Sequence, residues 1–191
     1  NVPRLADRSD EELLFSPCVL YLFGLLTLKS LTDCLCGGDR LDQLDMLIEP
    51  LGLMIEFDGG YYHGDVRVPG DISKTKRLLL ENPELRIVRV RIDGATFIPE
   101  LEDLERCTVV YMEKRKEKGK IQAAVRKFAE AMIPIVPVEQ RKLLEAACDD
   151  PRMFVEAEAR GIVLREELWV LWNAKYAAGK KRLIEVVGDE G

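Results

Sequence analysis

The chain has 191 residues, 47% apolar and 32% charged, the make-up of a soluble globular protein with enough apolar mass for a core. Lys and Arg total 28 against 34 Asp and Glu, a net charge of −6, which argues against a uniformly basic nucleic-acid coat but permits a local basic face. The five cysteines, Cys18, Cys34, Cys36, Cys107 and Cys148, are odd in number and scattered, and Cys34-Leu-Cys36 has no second pair or nearby His, so free or buried thiols are expected rather than a disulfide frame or a zinc set.

In chain order, RSDEELLFSPCVLYLFGLLTLKSLTDCLCGG (8–38) predicts a helix capped by Ser9 or Asp10, broken near Pro17 and stopped at Gly37-Gly38. Its apolar centre, CVLYLFGLLTL (18–28), is too short to span a bilayer and has acids on the N-terminal side, where a signal peptide would be basic. A core helix of an intracellular protein (cytoplasm, nucleoid or nucleus), neither membrane-bound nor secreted, is expected. DMLIEP (45–50) and GLMIEFD (52–58) predict an antiparallel hairpin turning at Pro50, Leu51 and Gly52. Residues 59–70 form a loop with Tyr61, Tyr62 and the only histidine, His63.

DISKTKRLLLENP (71–83) predicts a helix with Asp71 as N-cap and Pro83 as stop. ELRIVRVRI (84–92) predicts a strand whose second half carries Arg89 and Arg91 on one face. A short helix within 97–106 and a β-branched strand, CTVVYM (107–112), complete a mixed α/β order. Composition then shifts: residues 113–127 hold seven Lys or Arg against two Glu, and the remainder reads as helices punctuated by Pro134, Pro137 and Pro151. A boundary near residue 115 is expected, with an α/β domain over 1–115 and a helical region over 116–191 that binds nucleic acid or a partner. In 164–187, Leu164, Leu168, Leu171 and Trp172 share a helix face suited to a core, a homodimer or a larger assembly.

The chemistry concentrates in MIEFDGGYYHGD (54–65). Glu56 and Asp58 alternate onto one strand face, and two carboxylates ending an apolar strand repel and resist desolvation unless a positive charge compensates. Pairing about the expected turn opposes positions summing to about 102, which sets Asp45 across from Phe57 and beside both acids. Three carboxylates would suit a hard cation, Mg²⁺ or Mn²⁺; singly, each is more often a solvated strand end.

The ordered set Asp45, Glu56-Phe57-Asp58-Gly59, Tyr62-His63, Asp71-Ile72-Ser73-Lys74-Thr75 and Ile87-Val88-Arg89-Val90-Arg91 resembles the very-short-patch-repair-like branch of the PD-(D/E)xK nuclease superfamily, over about residues 40–92. The resemblance implies a restriction-endonuclease-like fold, a mixed sheet flanked by helices, and Mg²⁺- or Mn²⁺-dependent hydrolysis of DNA phosphodiesters. It implies Asp45 and Glu56 as metal ligands, Asp58 as a further ligand or an orienter of His63, and His63 as general base or stabiliser of departing charge. Asp58 occupies the slot where many relatives carry the lysine of E-x-K, so Lys74 is the expected substitute.

For DNA contact the candidates are Lys74, Lys76, Arg77, Arg89 and Arg91, from a segment (70–92) with six basic and three acidic residues, and Lys114, Arg115 and Lys116. A rival in another class is a non-catalytic RNA-binding module resembling RAP domains, which share an E-x-D-G…H pattern and a lysine-bearing helix before the I-V-R strand.

Overall fold

The computed structural model describes residues 5, 8–41, 44–59, 65–92, 95–112 and 119–188. Helix α1 (Asp10–Leu22) starts where Ser9 accepts the Glu12 N–H, with Asp10, Glu11 and Glu12 in its first turn, where acids oppose the helix dipole. The predicted long helix divides at Gly24, whose φ of 67° favours a residue without Cβ, while Pro17 sits inside α1. Helix α2 (Leu28–Arg40) is capped by Thr27 and runs through Gly37-Gly38 rather than stopping there. Those glycines serve packing: a Cβ on Gly38 would lie 2.4 Å from the Leu44 carbonyl oxygen, so the chain after α2 folds back directly onto the helix.

Strands β1 (Met46–Ile48) and β2 (Leu53–Gly59) form the expected hairpin, joined by a 3-10 turn, Glu49–Leu51, and Gly52 at φ 60°. Met46 pairs with Ile55, one residue away from the predicted register, because the turn begins at Glu49 rather than at Pro50. The shift matters, since one residue of slip exchanges strand faces. It leaves Met46 with Ile55 on the Phe57 face and brings Asp45, the residue before β1, into phase with Glu56 instead of Phe57.

Helix α3 (Val68–Glu81) begins three residues earlier than predicted, with Arg67 at the cap, so Asp71 lies in its first turn and is no N-cap. It crosses over to β3 (Arg86–Ile92), which runs parallel to β2, and α4 (Pro99–Glu102) leads to β4 (Cys107–Tyr111), parallel to β3. The result is a four-stranded mixed sheet in the order β1-β2-β3-β4. Arg106, at φ 64°, sends its guanidinium to the carbonyls of Leu79, Asn82, Pro83 and Leu85, closing the C-terminal end of α3.

Helices α5 (Lys120–Met132), α6 (Val138–Asp149) and α7 (Arg152–Gly188) follow. One sheet face, carrying Ile55, Phe57, Val88 and Val90, shares a single core with α1 and with Phe128, Leu144, Phe154 and Leu168 of these later helices. Phe15 packs on both Phe57 and Phe128, with ring centroids 4.7 and 5.8 Å away. The composition shift near residue 115 therefore marks no break in the core: the helices expected to stand apart complete the first half's burial. The protein is α/β, with a mixed sheet flanked by helices and a helical C-terminal part. Among the described residues, no helix is long and apolar enough to cross a membrane. The five cysteines are free thiols.

Candidate functional site

The opposite sheet face changes character along its strands. At one end Leu47, Met54 and Ile87 pack beneath Leu78 and Leu79 of α3. At the other, Glu56 and Asp58 of β2 stand in register with Arg89 and Arg91 of β3, beneath the first half of α3. With β2 and β3 paired in this register, alternation in both strands makes the expected arginine face and the acidic face one face.

Asp58 is consumed by this pairing. Arg89 Nε and Nη2 donate to its two oxygens at 2.8 Å each, a bidentate fork, and Arg91 Nη1 donates to Oδ2 at 3.0 Å. Arg91 Nη1 also donates to Asp71 Oδ2 at 3.0 Å, Arg89 Nη1 to Thr75 Oγ1 at 2.9 Å, and Arg91 Nε to the Thr96 carbonyl at 3.1 Å. Asp58 and Arg89 are 0% exposed and Arg91 1%. Two guanidiniums and two carboxylates balance in charge, the condition under which such groups tolerate burial. Burial opposes the charge on Arg89, but Asp58, Glu56 and Asp71 together hold it more firmly protonated than usual. Arg89 and Arg91 are therefore not the DNA-facing cations expected from the sequence, because neither reaches solvent. Asp58 is likewise no open ligand, since its oxygens are already spent on arginines.

A second group lies toward the β1 edge. Glu56 is 4% exposed, and its Oε1 is ion-paired with Lys74 Nζ of α3 while receiving no aligned hydrogen bond among the described residues. Burial and the nearby Asp45 push its carboxyl up to about 7, against the opposing influence of Arg89 and Lys74. Asp45 Oδ2 accepts the Phe57 N–H at 2.5 Å. Burial and the neighbouring Glu12 and Asp58 raise the Asp45 carboxyl well above its usual range. The side chains of Lys74 and Asp45 are 26% and 18% exposed, so the group meets solvent through them.

Glu12 and Arg8, not among the residues expected from the sequence, also belong to this group. Arg8 Nη1 donates to Glu12 Oε1 at 2.5 Å and to the Asp45 carbonyl, and its Nη2 reaches the carbonyls of Leu35 and Leu44, tying α1, α2 and β1 together beside the acids. Burial raises the Glu12 carboxyl despite Arg8. The available signal was Ser9-x-x-Glu12, a capping-box spacing; the Glu12 carboxylate, held by the Ser9 backbone N–H, also pairs with Arg8, four residues back.

Lys76 and Arg77 are exposed on α3. His63, Tyr61, Tyr62, Lys114, Arg115 and Lys116 lie outside the described residues. Among the described residues no group of three or more His, Cys, Asp or Glu is placed to hold a metal ion. Asp45 and Glu56 still fit Mg²⁺ by donor type, because that ion typically takes one or two carboxylates and keeps water or substrate oxygens for the rest. Compared with models of protein families, with curated proteins and with solved structures, the chain matches none.

Proposed function

We propose that the protein is a metal-dependent endonuclease of the restriction-endonuclease-like kind, hydrolysing DNA phosphodiester bonds at Asp45, Glu56 and Lys74. The observation that carries this reading is the Lys74–Glu56 ion pair beside Asp45. The sequence put an aspartate where the resemblance calls for lysine; Lys74 supplies an ammonium to the same end of the sheet from α3.

Asp45 and Glu56 would hold Mg²⁺ or Mn²⁺, which polarises a phosphate and lowers the pKa of an attacking water. Glu56, titrating near neutrality, gives up its proton when a cation binds. Lys74 balances the charge building on the phosphate oxygens and orients the water. The Phe57 N–H fixes Asp45 so that its carboxylate need not reorganise. Asp58 has a supporting role, holding Arg89 and Arg91 and through them α3. His63 keeps its place as the candidate general base, and Lys76 and Arg77 are the exposed cations next to the site.

The test is cleavage of supercoiled plasmid with Mg²⁺ or Mn²⁺. Wild type is expected to nick or cut, Asp45→Ala and Glu56→Gln to abolish cleavage, and Lys74→Met to slow it by on the order of 100-fold. No cleavage with either cation, or Asp45→Ala cutting as well as wild type, overturns the reading; nucleic-acid binding without cleavage would favour the RAP-like alternative.

A further inference from the structure

Beyond β3 the same sheet face ends in an aromatic pair. Tyr111 stands in register with Arg91, itself in register with Asp58, so Tyr111 shares the face that bears Glu56. Two strand spacings separate Tyr111 from β2, about 10 Å. Phe97 packs on Tyr111 with ring centroids 4.8 Å apart at 47°, yet remains 57% exposed.

A single exposed Phe is ordinary; this one is held out by its surroundings. Ala95 N–H donates to the Ile92 carbonyl at 3.1 Å and Arg91 Nε to the Thr96 carbonyl at 3.1 Å. Ile98 N–H donates to the Tyr111 hydroxyl at 2.9 Å, and the Ile98 side chain is fully buried. Residues on both sides of Phe97 are pinned, so its ring has a fixed face toward solvent. A cation stands at the same edge: exposed Lys127 reaches from α5 to the Tyr111 carbonyl at 3.2 Å. Lys127 and its neighbour Arg126 line an open polar cleft with Gln122, Glu130 and Phe154, where Arg126 Nε is paired with Glu130 Oε1 at 3.0 Å and Lys127 is the exposed cation nearest the aromatic pair.

We infer that Phe97, backed by Tyr111, is a stacking platform for an unpaired base of the nucleic-acid strand, with Lys127 meeting the adjoining phosphate. An exposed aromatic face with a cation at its edge supplies the two contacts, stacking and a phosphate pair, that bind single strands irrespective of sequence. The platform and Glu56 lie on one face, so the proposed substrate is DNA with unpaired nucleotides flanking the scissile bond. This deepens the nuclease reading and rests on it.

The test is fluorescence anisotropy with a labelled oligo(dT) strand and its duplex, in EDTA, so that failed catalysis cannot imitate failed stacking. Wild type is expected to prefer the single strand. Phe97→Ala should weaken that binding by about 5- to 100-fold, with Phe97→Trp retaining it, since stacking on one aromatic contributes roughly that much per base. Lys127→Gln should reduce the steepness of the salt dependence by about one phosphate contact. Circular dichroism establishes that each variant is folded. Equal affinity of Phe97→Ala and wild type, full retention by Phe97→Leu, or no preference for the single strand overturns the inference, whatever the plasmid assay gives.

Discussion

Glu56 and Asp58 sit two apart on one strand, and the structure gives them opposite circumstances. Asp58 is neutralised by two arginines, whereas Glu56 faces one lysine and an acidic neighbour. Their presence on one face was legible from alternation in the sequence. Which acid would be spent on structure was not, because it depends on the parallel pairing that sets Asp58 against Arg91. The raised Glu56 carboxyl has a consequence for stability. The folded state holds this proton to about pH 7, above the ordinary value of 4.5, so the stabilisation it brings is complete below about 4.5 and is lost as pH rises through 7. In EDTA, wild type should be less stable to urea at pH 8 than at pH 5.5, by about 2 kcal/mol from this group. Glu56→Gln should flatten that slope; an unchanged slope would show that Glu56 does not titrate there.

At the scale of elements, the network around Asp58 fastens α3 to the sheet. Thr75 and Asp71 project from α3 onto Arg89 and Arg91, so the helix bearing Lys74 is located by buried charge as well as by Leu78 and Leu79. Arg89→Met should therefore cost about 3–5 kcal/mol in urea unfolding, since it leaves a buried carboxylate short of its partner. Arg89→Lys should also destabilise, because an ammonium cannot reproduce the fork. A loss confined to DNA affinity, with stability unchanged, would instead restore the surface role first expected. The strands and most helices were legible from periodicity and turn residues. The hairpin register was not, because Glu49–Leu51 forms a 3-10 turn that a Pro-x-Gly signal does not reveal. The start of α3 was also hidden: Asp71 resembles a cap in sequence, but its carboxylate is drawn to Arg91.

Over the whole molecule, the change in composition near residue 115 suggested two parts, and the packing joins them. Gly161 of α7 lies so close to α1 that a Cβ there would stand 3.2 Å from Cys18 Sγ and from Pro17 Cγ. Phe128 of α5, fully buried, meets Phe15 of α1 and Phe23 at its C-terminal cap edge-on. Local composition reports solvent exposure along a segment and says little about which distant segment covers its apolar side. Phe128→Ala should destabilise the whole fold by about 3–5 kcal/mol, in one calorimetric transition that includes the sheet. Two separate transitions, with only the later one shifted, would contradict a shared core. That core supports the sheet from behind and leaves the Glu56 face turned toward α3 and solvent.

Whether Asp45 and Glu56 form a cation site is read out by titration calorimetry with Mn²⁺. Wild type should bind Mn²⁺ at pH 8 and bind it about tenfold more weakly at pH 6 as Glu56 takes up its proton, with proton release visible from the buffer dependence of the heat. Asp45→Ala and Glu56→Gln should show no such binding. Absence of Mn²⁺ uptake by folded wild type at pH 8, or uptake unaltered in both variants, would contradict a cation site at Asp45 and Glu56.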